Sequence, residues 1–142
     1  MCPTDHHPAY FQVRFRSPGS PLDWPISFAI ITAWATTGEF WSAEENQAAD
    51  AQLAVRLRNI GCWHRRITGY SPLDGHAEAG WAALLPLELA RDLGREFRQD
   101  AIYWVSGDQC WVTKCAAESE LVSAGSFRER LDVGRAEERL DG

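Results

Sequence analysis

The chain has 142 residues, of which 45% are hydrophobic and 24% charged, and its formal net charge is −6 at pH 7. This composition is typical of one soluble domain, long enough to bury a core without disulfides or metal. No apolar run approaches the roughly 18 residues of a membrane-spanning helix, and the acidic balance argues against a protein that binds nucleic acid by neutralising phosphates.

The N-terminus and the cysteines favour a cytoplasmic protein. The opening residues contain no basic segment followed by an apolar run, so we expect no signal peptide. The four cysteines form no CxxC pair, which is typical of free thiols in a reducing compartment.

Two strands are predicted in the first quarter of the chain. Residues 10–16 alternate between apolar and polar side chains, the pattern of a half-buried strand. Residues 26–34 are apolar nearly throughout, which suits a central strand. The Pro-, Gly- and Ser-rich residues 17–25 between them predict a loop.

A helix is predicted next, with recognisable signals at both ends. Ser42 followed by Glu45 matches a capping box, and Gly61 is a typical helix stop. The apolar residues between these ends recur at helical intervals, and the same face extended one step back reaches Asn46. We therefore expect Asn46 to face inward in the first turn.

The second half predicts four more strands and one helix. In chain order these are an edge strand at 62–70, a strand at 78–85, a helix from Pro86 to about Gln99, and a hairpin of strands at 101–105 and 109–115. The edge position follows from charges on both faces of the strand. The helix start follows from its proline, and the hairpin from the short connection between its strands.

This order of elements predicts an α+β fold with the ferredoxin-like split βαβ pattern (βαββαβ). An extra N-terminal strand and a C-terminal hairpin strand complete a mainly antiparallel sheet, on which two helices pack. Right-handed crossovers place strand 26–34 between strands 78–85 and 101–105. We expect residues 1–125 to form a single domain, and the charged residues 126–142 to form a helical or partly disordered tail.

The predicted topology brings polar side chains to one rim of the sheet. Thr32 ends its strand, Glu78 begins one neighbour, Gln99 precedes the other, and the first helix contributes Asn46. Trp34 adds an apolar wall. Converging polar groups beside an aromatic side chain are typical of small-molecule sites. Buried hydrogen bonds that only hold the helix to the sheet are the alternative.

Glu78 is the best candidate for a catalytic group, although no reaction follows from the sequence. A carboxyl group partly buried beside Trp34 could act as a general base. The chain contains no P-loop, GxGxxG or GxSxG motif. We therefore predict no cofactor.

A metal site is also not expected. Cys62 and His64 share one strand face, and His76 and Glu78 share another. At about 3.3 Å per residue the two pairs lie roughly 15–20 Å apart in the predicted hairpin. That distance is too large for one tetrahedral site.

Several short motifs resemble domain-of-unknown-function family 3293, a group of small, uncharacterised, mainly bacterial proteins. They are "FAIITAW", "EEN" at 44–46, the strand led by Glu78, and "FRQDAIYWV" at 97–105. The resemblance covers roughly residues 10–115.

The resemblance implies that Asn46, Glu78 and Gln99 occupy the family's characteristic polar positions. Ala35 stands where the family commonly has asparagine, and Arg98 where it commonly has glycine. The first departure removes a polar group from the proposed rim. The family name implies no reaction.

Two functions follow as hypotheses. The first is binding of a small molecule or a partner through the rim of Asn46, Glu78 and Gln99. The alternative is a non-enzymatic interaction or self-association module that uses exposed aromatic side chains, since the chain has seven tryptophans. We expect neither a nucleic acid nor a membrane as partner, and a homo-oligomer remains open.

Overall fold

The computed structural model describes residues 11–18, 24–34, 42–73 and 75–132. These residues contain seven strands and three helices. In chain order they are β1 (Arg14–Arg16), β2 (Ser27–Thr32), α1 (Ala43–Ile60), β3 (His64–Tyr70), β4 (Ala77–Ala83), α2 (Leu87–Glu96), β5 (Ala101–Ser106), β6 (Gln109–Lys114), β7 (Leu121–Ser126) and α3 (Phe127–Arg130). The six predicted strands and both predicted helices are present, whereas β7 was not predicted.

The capping signals of α1 act as predicted. The Ser42 hydroxyl accepts a hydrogen bond from the Glu45 backbone N–H at 3.1 Å, and the Glu45 carboxylate accepts one from the Ser42 backbone N–H at 2.8 Å. Gly61 ends the helix with a φ of 82°, in the left-handed region that favours glycine.

Helix α2 ends earlier than predicted. Its last helical residue is Glu96, and Arg98 adopts a φ of 63° in the turn that follows. The Gln99 backbone N–H donates a hydrogen bond to the Gly94 carbonyl at 2.8 Å, which closes this turn. The early end places the side chain of Gln99 in the connection to β5 instead of on the helix.

The strands form one antiparallel sheet in the order β1-β3-β4-β2-β5-β6-β7. Strand β2 lies between β4 and β5, as predicted. The prediction that residues 62–70 form an edge strand was wrong, because β1 pairs with Thr68–Tyr70 on the outer side of β3. The short β1 occupies that edge.

The fold is therefore α+β, with helices on an antiparallel sheet. The sheet is larger than the four strands of a ferredoxin-like unit, because β1 extends one side and β6 and β7 extend the other. The order of the complete sheet differs from the ferredoxin-like order for this reason.

Each face of the sheet has its own hydrophobic core. On one face, Leu53 and Leu57 of α1 and Leu93 of α2 pack on residues such as Ile31 of β2. The core on the other face involves every strand and α3; its largest buried members are Phe15, Phe28, Ile30, Ile67, Val105, Val112, Phe127 and Leu131. Alternation along each strand divides the side chains between these two faces.

A segment after β7, the C-terminal strap (Phe127–Asp132), joins the two edges of the sheet. Leu131 forms a parallel bridge with Phe15 of β1, and the Asp132 backbone N–H donates to the Phe15 carbonyl at 2.8 Å. The Arg130 guanidinium donates to the carbonyls of Val13 at 2.7 Å and Ala124 at 2.7 Å. The strap therefore connects β1 to β7, and the sheet curls around the second core.

The strap begins within the segment predicted as a charged tail. Phe127 is 3% exposed and Leu131 is 6% exposed, so these first tail residues pack in the core. The division between domain and tail at residue 126 stays a prediction, and residues 133–142 lie outside the described residues. None of the described helices is long and apolar enough to cross a membrane.

Candidate functional site

At its C-terminal end, strand β2 lies unusually close to the backbone of β4. Thr32 is paired with Gly80 at the end of the ladder. A Cβ atom on residue 80 would lie 2.6 Å from both the Ile31 carbonyl oxygen and the Thr32 Cγ2. Only glycine fits there, and its absent side chain allows Thr32 to lie over the neighbouring strand.

Gln99 fixes the residues that follow β2. Its Oε1 accepts a hydrogen bond from the Thr32 hydroxyl at 3.1 Å. Its Nε2 donates to the carbonyls of Trp34 at 2.6 Å and Phe97 at 3.1 Å. Both the oxygen and the nitrogen of the Gln99 side-chain amide are thus hydrogen-bonded, and the amide holds the backbone of Trp34 in place.

His76 and Glu78 form an imidazole–carboxylate pair at the start of β4. The distance between His76 Nε2 and Glu78 Oε2 is 2.9 Å, and the side chains are 62% and 32% exposed. The rings of Trp34 and His76 meet edge to face, with centroids 6.4 Å apart. Trp34 is therefore the contact between the Gln99 hydrogen bonds and the His76–Glu78 pair.

Asn46 and Glu78 lie on opposite faces of the sheet. It is 6% exposed and precedes Leu53 by two turns on the stripe of α1 that faces the sheet. Glu78 alternates in phase with Gly80 and Ala82, and Ala82 belongs to the core on the opposite face. The structure thus brings Thr32, Trp34, Gln99 and Glu78 towards one another, and it places Asn46 on the helical side.

His76 is the residue that the sequence reasoning left out of the site. The signal was present, since residues two apart on a strand share a face and a histidine precedes the glutamate by two. The sequence alone relates that pair only to a metal site, which its distance from Cys62 and His64 excludes. Within the described residues, no three His, Cys, Asp or Glu side chains gather where they could hold a metal ion.

The two arginines of the basic "HRR" motif make contacts within the fold. Arg66 binds Asp50 through two hydrogen bonds of 2.9 and 2.7 Å and lies 4.0 Å from the centre of the Trp81 ring. Arg65 lies 4.3 Å from the centre of the Trp24 ring. Each guanidinium stacks on a tryptophan, one on each face of the sheet.

A second concave surface lies between α1 and α2. This open groove has a volume of about 380 Å³ and is lined by Ala51, Gln52, Val55, Arg56, Glu96 and Phe97. The exposed ion pair of Arg56 and Glu96 crosses it at 2.9 Å. Arg56 lowers the pKa of the Glu96 carboxyl group by its hydrogen bond.

A family model described as "Protein of unknown function (DUF3293)" matches residues 31–102, half of the chain. The chain belongs to this family. The DUF3293 match includes all the candidate residues from Thr32 to Gln99, together with His76, and it ends before β6, β7 and the strap. No curated protein and no solved structure matches the chain.

Proposed function

We propose that this DUF3293 protein binds a small polar molecule at the rim formed by Trp34, His76 and Glu78, which we call the Trp34 rim. One observation supports this most strongly. The Glu78 carboxylate is held by His76 beside an aromatic ring, and it is still one third exposed. A charged group next to an aromatic surface that solvent reaches is a common feature of ligand sites.

In this proposal Gln99 and Thr32 position the rim and do not touch the ligand. The Gln99 amide is already engaged by Thr32, Trp34 and Phe97. Glu78 anchors the ligand, and Trp34 packs against it. The participation of Asn46, from the helical side, stays a prediction, and we assign no catalytic step.

The alternative, an interaction module built on exposed aromatic side chains, receives no support from the described tryptophans. Six of the seven lie in the part of the chain that the structure describes, and each of them is partly buried. Several pack against the two cores, among them Trp24, Trp63, Trp81 and Trp104. Aromatic anchors of interfaces are usually presented more openly.

Two finer statements accompany the proposal. We propose a cytoplasmic location, because Cys62, Cys110 and Cys115 are free thiols. We also propose that β2 to β5, with α1 and α2, form a ferredoxin-like unit that the outer strands enlarge.

A fragment screen by NMR tests the proposed function. Fragments of several chemical classes are added to the full chain labelled with ¹⁵N, and the indole N–H resonance of Trp34 is followed. We expect a subset of fragments to shift this resonance and the imidazole resonances of His76 in the wild-type protein. In the Trp34→Leu variant the same fragments should no longer shift the His76 resonances. Trp111→Leu, which changes another partly buried tryptophan, is the matched control and should retain those effects.

The proposal fails if no fragment shifts the Trp34 indole. It also fails if every fragment that shifts the Trp34 indole shifts the His76 resonances equally in the wild type and in Trp34→Leu. Binding would then not involve the Trp34 ring.

A further inference from the structure

The charge and the acceptor atoms at the Trp34 rim point to the chemical class of its ligand. We infer that the rim takes an organic cation, a primary ammonium or guanidinium group carried on a short apolar chain. This inference rests on the proposed function and adds the ligand class to it.

The acceptor is the second carboxylate oxygen of Glu78. Oε2 is 2.9 Å from His76 Nε2, and Oε1 accepts no hydrogen bond from the part of the chain that the structure describes. A carboxylate has lone pairs on both oxygens, so His76 leaves one oxygen available. Such an oxygen binds N–H donors best when the donor carries a positive charge.

The aromatic wall suits the same class. The Trp34 side chain is partly buried and meets His76 edge to face, with an angle of 87° between the rings. The face of an indole attracts cations more strongly than other aromatic faces. Arg66 on Trp81, at 4.0 Å, and Arg65 on Trp24, at 4.3 Å, show this chain making that contact twice elsewhere.

Within the described residues, Glu78 forms no ion pair with an arginine or a lysine. Arg66 binds Asp50 on the face that α1 covers, opposite to Glu78, and Arg14 of β1 binds Asp132. Arg98, next to Gln99, is exposed, and the acidic Asp100 follows it two positions later. With histidine counted as neutral, Glu78 leaves the rim with a net negative charge, in a chain whose formal net charge is −6.

A metal cation fits the rim less well than an organic one. The rim offers one imidazole and one carboxylate, and these two groups are hydrogen-bonded to each other. A structural metal site needs about four ligands, and the described residues gather no third His, Cys, Asp or Glu there. An ammonium or guanidinium group needs only the carboxylate and the ring.

Four probes that share a four-carbon chain test the class: n-butylammonium, n-butylguanidinium, butyrate and butyramide. Each is titrated to tens of millimolar into the labelled full chain, with the Trp34 indole as readout. We expect the two cations to bind and the anion and the amide not to bind. The affinity for the cations should fall as salt is added, because exposed charges are screened.

Two variants separate the role of Glu78 from that of overall charge. Glu78→Gln keeps the shape of the side chain and should weaken cation binding about tenfold. Glu120→Gln removes the same charge before β7, three strands away from β2, and should leave binding unchanged. Equal weakening by both variants would overturn the inference, because binding would then depend only on net charge.

The other outcomes distinguish the ligand class from the proposed function. Butyrate, butyramide or fragments of other classes could shift the Trp34 indole resonance while the two cations do not. In that case the inferred ligand class is wrong, but the proposed binding site is supported. A shift of Trp34 and His76 by micromolar Zn²⁺ alone, without any response to the cations, would also overturn the class. If neither the probes nor the fragments shift Trp34, both proposals fail.

Discussion

The hydroxyl of Thr32 donates a 3.1 Å hydrogen bond to Oε1 of Gln99, a residue 67 positions later in the chain. The same amide donates to the Trp34 carbonyl at 2.6 Å. These bonds join the end of β2 to the turn after α2. The position of Trp34 therefore depends on a residue outside the sheet.

Replacing Gln99 by alanine should destabilise the protein. The change leaves the Trp34 carbonyl and the Thr32 hydroxyl without the partner they have in the fold, and we expect a loss of about 2 kcal/mol in the free energy of unfolding. Urea unfolding measures it. Gln47→Ala, at an exposed position of α1, should change stability by less than about 0.5 kcal/mol. Equal effects of the two variants would show that the Gln99 bonds are not needed.

Gly94→Ala should destabilise the protein through one specific overlap. A Cβ atom on residue 94 would collide with Cys115 Sγ and lie 3.1 Å from Ile102 Cγ2. Overpacking of this kind costs about 2 kcal/mol. The double variant Gly94→Ala/Cys115→Ala removes the colliding sulfur, so we expect it to be more stable than Gly94→Ala alone, by thermal unfolding. No recovery in the double variant would show that the cost arises elsewhere.

The buried thiols should make the protein less stable at alkaline pH. Burial raises the pKa of the Cys110 thiol from 9.0 to about 12, and that of Cys115 to about 11. Because the folded state holds these protons more tightly than the unfolded chain, their contribution is complete below pH 9. It is then lost as the pH rises from about 9 towards 11 and 12.

Alkylation by iodoacetamide tests the same thiols. At pH 8 the half-buried Cys62 should react faster than Cys110 and Cys115, and all three should react at similar rates in urea. Peptide mass spectrometry follows each site separately. Rapid labelling of Cys110 in the folded protein would contradict its burial.

The C-terminal strap should be required for folding. A chain that ends at Ser126 lacks Phe127 and Leu131, two buried members of the second core, and exposes that core to water. We expect it to lose cooperative unfolding by circular dichroism. A chain that ends at Asp132 retains the strap and should unfold cooperatively. If the shorter chain also unfolds cooperatively, the strap is dispensable.

The sequence was most informative where the structural signal is local. Ser42, Glu45 and Gly61 mark the ends of α1 through contacts with their own neighbours in the chain, and these ends were predicted correctly. The strand β3 was assigned to an edge because Arg65 and Arg66 give it charges on both faces. Trp81 lies directly opposite Arg66 on β4, whereas Trp24 and the edge strand β1 come from more than forty residues earlier in the chain, so local reasoning could not place them.

The strap and β7 were missed for a similar reason. Residues 121–126 contain small side chains with no strong alternation, and residues 127–132 are rich in charge. The burial of Leu131 depends on Phe15, more than a hundred residues earlier in the chain. A contact of that range leaves no periodic signal.

The candidate site was partly within reach of the sequence. The antiparallel placement of β2 between β4 and β5 brings Thr32 opposite Gly80 and Gln99 next to Trp34. The face of each side chain depends on register, and a shift of one residue reverses it. For that reason the sequence grouped Asn46 with Glu78, and although it placed His76 and Glu78 on one strand face, it did not include His76 in the site.

The most direct test of the proposed site is the change in the Trp34 indole resonance when n-butylguanidinium is titrated into the wild-type chain and into Glu78→Gln. Our account predicts saturable binding to the wild type and about tenfold weaker binding to the variant. Equal affinity for the two proteins would contradict it.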